Sequence, residues 1–505
     1  MYINIIRYKY LVALILGLIS SLGLAPYYIF YLTIVALVIC LLLLEKIKHP
    51  KEAFYIGFLY GFGFHIFGLY WIAISFKTAN FGGYFLGATA VFLLCFFLAF
   101  FSAFSLFIIK RFGKNRSLFS QSILIVFIFS LCDWIKGNIF WGFPWTPISI
   151  IWAFDEKTLA PFSFLGVWGY SLITYTFITA IYLISKNIKM AILAFIPFFL
   201  SIVLSNLFKN NNLINIENLN IRLVQPNIKQ IEKWDNKKAS INLNHLISLS
   251  LKNKPDKTDL IIWPETAVTF DMKKNSKEKL YFDKKTKNID NLIVGAIREE
   301  QFSYKSIIYN SLFFKKQNMD QVQYHDKLKL VPFGEYIPFR NILNRKNFPL
   351  GGIDFSRGSN IKIFQLKEKL KVLPLICYEV IFPEITKKYR DKYNLLVNIT
   401  NDAWFGKSNG PYQHLALSKV RAVLEGKYLL RVANTGITAI IDHDGKVIDK
   451  LDLNQTGVID KKLVLSKKNT LYSYVGNSIF YVLLTILFLI FCFNNYKLRL
   501  NNKNE

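Results

Sequence analysis

Eight long apolar runs decide most of what this chain can become. They lie near residues 11–25, 27–44, 53–76, 84–109, 118–135, 163–185, 190–208 and 477–493. A helix of about 20 apolar residues crosses a bilayer, and shorter ones cross where they pack together. The reading is a membrane α-helical bundle of about eight spans. The first run follows Arg7 and Lys9 as a signal peptide would, but no small-x-small cleavage pattern follows it and Pro26 makes a poor site, so it is read as an anchor. Between the seventh and eighth runs the composition changes, and most of the Lys, Asp and Glu fall there. Three regions result: a transmembrane bundle of about seven spans at 1–208, a soluble domain at 209–470, and a C-terminal transmembrane helix with a tail at 471–505.

Charge in the short loops orients the bundle, because cytoplasmic loops carry the excess of Lys and Arg. With the N-terminus inside, the inner segments hold Arg7 and Lys9; Lys46, Lys48 and Lys51; Lys110, Arg111, Lys114 and Arg116; Lys186 and Lys189; and Lys497, Arg499 and Lys503. The outer loops hold only Lys77, Lys136 and Lys157. Seven crossings then put residues 209–470 on the outer face and both termini in the cytoplasm. One outer loop, residues 136–162, mixes Trp141, Trp145 and Trp152 with Pro144, Pro147 and Pro161. It reads either as a lipid-handling lip or as a loop packed beneath the soluble domain.

A formal net charge of +29 raises the question of nucleic acid. The lysines are scattered among Asn and Ile, and no zinc-finger, RNP or helix-turn-helix pattern occurs, so the expected partner of this charge is an anionic lipid surface. No GxGxxG, Walker loop or HExxH is present, and the six histidines lack ligand spacing, which leaves nucleotide and metal chemistry without support. Cys40, Cys95, Cys132 and Cys492 lie in apolar runs, leaving Cys377 as a free thiol in the soluble region.

That region reads as α/β. Strand-like runs occur at 219–225, 259–263, 291–297, 306–314, 371–376, 394–399 and 436–441, with helical patterns at 237–252 and 411–427. Three constellations sit at strand ends. WPETA (263–267) leaves Glu265 at a sheet rim, since Pro264 stops the ladder. YHDKLKLVPFGEYIP (324–338) carries Lys327 and Lys329 ahead of Glu335. KVLPLICYEVIFPE (371–384) delivers Cys377 where a buried strand turns toward a helix, followed by Tyr378 and Glu379. A thiol nucleophile needs a base, and the oxyanion formed on attack needs positive charge or N–H donors. A Glu, a Lys and a Cys supply both without histidine. Lys327 and Lys329 share one face of a strand by period two, and pattern alone does not separate them.

Together and in this order, these segments resemble the nitrilase superfamily, whose Glu, Lys and Cys triad occupies such contexts. The eight-residue separation of Lys327 from Glu335 fits that family and selects Lys327. Asn310 in YNS, NDAWFG (401–406), residues 411–425 with Gln413, His414, Arg421 and Glu425, and RVANTG (431–436) match as well. With the flanking spans, and with GFPW (142–145), VQPNI (224–228), Trp234, LVPFGEYIP and ICYE, the chain resembles the bacterial apolipoprotein N-acyltransferase family over nearly its whole length.

The resemblance implies a nitrilase-like αββα sandwich in an inner-membrane protein. It implies a phospholipid acyl donor, a diacylglyceryl apolipoprotein acceptor, and no metal or cofactor. It makes Glu265 the base, Cys377 the nucleophile, and Lys327 with the Tyr378 N–H the oxyanion donors. Glu335, Glu379 and Asn310 support them, and Trp234 either gates the lipid from a mobile loop or is a core or interface aromatic. A membrane-anchored nitrilase-like amidohydrolase is the alternative. A transporter is disfavoured because no span pairs ionisable residues at mid-depth, Asp133 being the one acid near a span end.

Overall fold

The computed structural model describes residues 7–80, 82–140, 142–207, 213–302, 305–317, 322–338 and 354–501. Trp141, Lys503 and the side chains of Lys497 and Arg499 lie outside the described residues. The chain divides into two compact units, one of Met1–Trp71, Ala88–Asn211 and Thr470–Glu505, the other of Ile72–Gly87 and Asn212–Asn469. The stretch Ile72–Gly87, which lies within and beyond the third apolar run, therefore groups with the α/β region.

Among the described residues, five helices are long and apolar enough to cross a membrane: Gly83–Gly113, Leu118–Asn138, Phe162–Leu183, Ile188–Leu207 and Ser478–Tyr496. Pro50–Gly68 and Trp71–Thr78, bent by 46° at their break, make a sixth if taken as one span. The first two apolar runs also form helices, Lys9–Ser20 and Phe30–Lys46, of 12 and 17 residues. These rise only about 18 and 26 Å at 1.5 Å per residue, against a hydrocarbon core of about 30 Å. Length thus supports five or six independent spans where composition counts eight, because the first run ends in the 3₁₀ turn Ser21–Gly23 ahead of Pro26.

Small residues let these helices approach closely, as packing in lipid requires. A Cβ on Gly17 would fall 2.1 Å from the Tyr60 carbonyl oxygen, and one on Gly57 2.4 Å from that of Ser102. The Trp-rich loop is folded into this unit. Trp145 is buried against Trp71 with ring centroids 5.0 Å apart, and buried Trp152 donates its indole N–H to Thr174 at 2.9 Å. Asp133 is not a lone acid: it pairs with buried Lys136 at 2.8 Å and accepts from the Ile148 N–H at 3.1 Å. Lys136 donates to the Thr146 carbonyl at 2.9 Å, so the pair fastens the loop.

In the second unit two mixed sheets stack. The first has the order β13-β1-β2-β4-β5-β6 with β3 alongside β4: β1 Leu213–Gln225, β2 Leu260–Ile262, β3 Val268–Asp271, β4 Asn291–Phe302, β5 Lys305–Lys316, β6 Gln323–Asp326 and β13 Gly457–Lys468. The second runs β12-β11-β10-β9-β8-β7: β7 Phe364–Lys367, β8 Leu370–Ile376, β9 Leu395–Thr400, β10 Leu429–Ala433, β11 Thr438–Ile441 and β12 Val447–Leu451.

Alternation along the strands sorts the layers. Leu223, Leu260 and Ile262 point between the sheets against Val372, Val397 and Leu430, whereas Val224, Ile261 and Trp263 point outward against Leu246 and Phe282 of the helices Asn236–Leu251 and Lys277–Lys285. The helix Gly410–Glu425 packs on β10, which completes an α-β-β-α order. β1 and β13 are antiparallel from Leu213↔Lys468 to Gln225↔Gly457, so the two ends of this unit leave it side by side.

Candidate active site

Parallel strands bring the key side chains to one class of position, the loops after their C-terminal ends. β8 runs parallel to β9, and β9 to β10. The all-buried run Leu373–Ile376 ends in Cys377, the first residue of a 3₁₀ turn Cys377–Ile381, with φ +51°. A left-handed backbone costs a non-glycine residue about 1–2 kcal/mol. Buried hydrogen bonds hold it there. The Asn398 amide donates to the Cys377 carbonyl at 3.3 Å, His414 Nε2 lies 3.3 Å from the same oxygen, and Glu379 accepts from the Ile376 N–H at 2.7 Å. The Glu379 carboxylate also accepts from the N–H groups of Leu328 and Lys329, which ties the cysteine turn to the lysine segment. Burial opposes its charge, but His325 and these N–H donors outweigh that and hold it below the usual glutamate range.

Glu265 lies just past β2, in a turn where Thr266 has φ +43°. β4 must come very close here. A Cβ on Gly295 would fall 2.4 Å from the Pro264 oxygen and 2.6 Å from Glu265 Cα. Lys327 follows β6 and is 1 % exposed, with Nζ 3.2 Å from Glu265 Oε1 and 2.9 Å from Glu335 Oε1. Asn310 of β5 donates to the same two oxygens at 2.7 and 2.9 Å, and the Val331 N–H donates to Glu335 Oε2 at 2.8 Å. Lys329 points elsewhere: 31 % exposed, its Nζ is 3.7 Å from Glu384 and 4.8 Å from the centre of the Phe382 ring.

Burial disfavours the Lys327 charge, yet Glu265 and Glu335 outweigh it and hold the ammonium well above the usual lysine range. The buried Cys377 thiol is pushed up, by desolvation and then by the Glu265 charge, against the pull of Lys327. It therefore keeps its proton at rest, and any use of it as a nucleophile requires proton removal. Tyr378 packs edge-on to Phe382 at 4.8 Å. Trp234 is half-buried directly after the single-turn helix Gln230–Lys233, and its indole N–H has no partner among the described residues.

Behind the cysteine, Asp402 accepts from Arg431 at 2.6 Å and pairs with His414 Nδ1 at 2.9 Å. Burial would raise its pKa, but Arg431 and His414 bring it to about 2. Ligand atoms of Cys377, Asp402 and His414 lie within 4.8 Å of one another. The Asp402 charge is already matched by Arg431, so the set makes a poor cation site. Arg421 donates to the Val380 carbonyl at 2.8 Å and pairs with Glu425, which accepts from Tyr393 at 2.7 Å. The motif-derived residues Glu265, Asn310, Lys327 and Glu335 thus meet in one cluster, and Glu379 links it to Cys377. Sequence reasoning gave no role to Asp402 and Arg431, although they lie in the matched runs, and it passed over Lys233, whose Nζ donates to the Glu265 carbonyl at 2.8 Å.

A thiol on a strand-end turn beside a carboxylate–ammonium cluster, on two stacked sheets, defines the class of carbon–nitrogen hydrolase-like domains, and residues 220–469 match the carbon-nitrogen hydrolase family. Residues 16–180 match the apolipoprotein N-acyltransferase N-terminal domain. Proteins named apolipoprotein N-acyltransferase from Rickettsia prowazekii and Shewanella oneidensis are 34% and 30% identical over 95% of this chain, covering 97% and 95% of their own lengths. The chain belongs to the apolipoprotein N-acyltransferase family. Among solved structures, Saccharomyces cerevisiae Nit3, of the nitrilase superfamily, aligns over 51% of this chain and 93% of its own at 18% identity and a TM-score of 0.38.

Proposed function

We propose that this protein transfers an acyl chain from a membrane phospholipid to the α-amino group of the N-terminal S-diacylglyceryl cysteine of lipoproteins. The observation that carries the reading is the buried Lys327 ammonium shared by Glu265 and Glu335, to both of which the Asn310 amide also donates, its charge acting on a strained cysteine.

In the first half-reaction Glu265 takes the Sγ proton as sulfur attacks the ester carbonyl. Lys327 and the Tyr378 N–H stabilise the oxyanion, where one donor commonly contributes about 3–4 kcal/mol. The carbon–oxygen bond breaks, the proton passes from Glu265 to the departing glycerol oxygen, and lysophospholipid leaves a Cys377 thioester. In the second, the acceptor amine loses a proton to Glu265 and attacks the thioester. The carbon–sulfur bond breaks and the proton returns to sulfur. Glu335 and Asn310 fix the Lys327–Glu265 geometry, Glu379 holds the turn, and Trp234 gates the lipid. The soluble domain, residues 209–470, faces outward from the inner membrane, with both termini cytoplasmic.

Incubation of the purified full chain with phospholipid alone should give a hydroxylamine-sensitive acyl adduct on Cys377, near one equivalent by mass spectrometry, which diacylglyceryl peptide then discharges. Cys377→Ala should give neither step. Fatty-acid release from phospholipid without an amine, as fast as turnover with the peptide, would replace this reading with the amidohydrolase.

A further inference from the structure

Lys233 differs from every residue assigned above. It is 4 % exposed, yet its hydrogen-bond acceptor is a main-chain carbonyl, that of Glu265 at 2.8 Å, and no ion pair joins it among the described residues. Lys327 in the same region has two carboxylates for its charge. A buried, unpaired ammonium is costly and persists only where something requires it.

We propose that Lys233 is a positioning residue for the acyl transfer: its bond to the Glu265 carbonyl holds the turn from which that carboxylate reaches Lys327 and Asn310, and its charge favours the anionic form of the neighbouring groups. The inference rests on the reading of Glu265 as the base. Three observations support it. The turn it holds is strained at Thr266 and pressed against Gly295, so an unbraced Glu265 has a backbone route to relax. Burial brings the Lys233 pKa down to about 7, against the opposing influence of Glu265 and Cys377, so its charge changes near neutral pH. And Lys233 leads directly into Trp234, which links the base to the segment carrying that indole.

The groups facing Lys233 are few. Glu265 comes from the turn after β2 and Cys377 from the end of β8. Lys277, Glu278 and Tyr281 of the helix Lys277–Lys285 share with it a cavity of about 150 Å³. On its own short helix Glu232 is drawn off by Lys238 at 2.9 Å. Below pH 7 the ammonium places a positive charge beside Glu265 and Cys377. Above it the neutral amine keeps the N–H bond but loses that field. The cavity gives a longer side chain room to settle.

The test is the single-turnover rate of Cys377 acylation by labelled phospholipid, measured from pH 5.5 to 9 on the full chain in detergent with Lys233→Met and Lys233→Arg. Lys233→Met should acylate roughly 10- to 100-fold more slowly, as expected for a displaced reacting group, with the dependence on phospholipid concentration unchanged. The wild-type profile should bend near pH 7. Lys233→Arg, charged throughout, should recover most of the rate and lose the bend. A wild-type rate in Lys233→Met, or a bend near pH 7 that persists in Lys233→Arg, overturns the proposal. The second criterion decides alone if the Met variant does not fold. Failure of the unmodified protein to form any thioester would instead sink the acyl-enzyme reading, and the positioning role with it.

Discussion

At the scale of single residues, the two lysines two positions apart make the sharpest contrast. They share a strand-like pattern and differ only in surroundings: Lys327 is 1 % exposed between two carboxylates, Lys329 lies over an aromatic ring near Glu384. Lys327→Ala should abolish thioester formation on Cys377, while Lys329→Ala should leave most of it, both read by mass spectrometry. The reverse would move the oxyanion role to Lys329. Such a distinction was legible only through the motif spacing, since periodicity puts both lysines on one face. Cys377 and Glu265 stood out as chemically distinctive residues where a strand must stop, and Glu335, nine residues past β6, by its spacing from Lys327. Lys233 was not, because a lysine among 62 basic residues announces nothing until its burial is known.

At the scale of elements, Asp402 joins three pieces of structure: its own 3₁₀ turn, Arg431 of β10 and His414 of the helix Gly410–Glu425. Its pKa falls from the usual 3.8 to about 2 because Arg431 and His414 outweigh burial. A carboxylate lowered in the folded state contributes stability that is whole above its unfolded value and lost as pH falls through the folded one, here between about pH 4 and 2. That shift is about 2 kcal/mol, and the stranded Arg431 charge brings the expected loss at pH 7 to about 3–5 kcal/mol for Asp402→Asn. Thermal melts in detergent should show the variant destabilised at pH 7, and its deficit against the unmodified protein should shrink as pH falls through that window. An unchanged melting temperature would mean the pair is dispensable. The central strands were legible as short apolar runs. β13 was not, since Lys461, Lys462, Lys467 and Lys468 interrupt its buried Ile459, Leu463 and Leu465, as suits a strand buried on one face at a sheet edge. The helix Lys277–Lys285 escaped likewise, with Phe282 its one fully buried anchor.

At the scale of the whole molecule, the proposed topology has a direct check. An engineered cysteine near Lys273, an exposed position of the α/β unit, should react with an impermeant thiol reagent in intact spheroplasts. Reaction only after permeabilisation would put this unit in the cytoplasm. The outline of a helical bundle carrying an α/β unit was legible from hydropathy. The assignment of Ile72–Gly87 to the α/β unit was not, because an apolar run reads the same whether its helix continues straight or breaks. The pairing of β1 with β13 has a consequence in time. A ribosome makes Leu213 about 250 residues before its partner Lys468, and domains otherwise close as they emerge. Until the last strand arrives, β1 presents a bare flank on a sheet whose other strands are already in place. The final helix begins at Ser478, ten residues beyond Lys468. The α/β unit is thus closed only when its last strand has been made, and a chain stopped before β13 carries Glu265, Lys327 and Cys377 on an unfinished sheet.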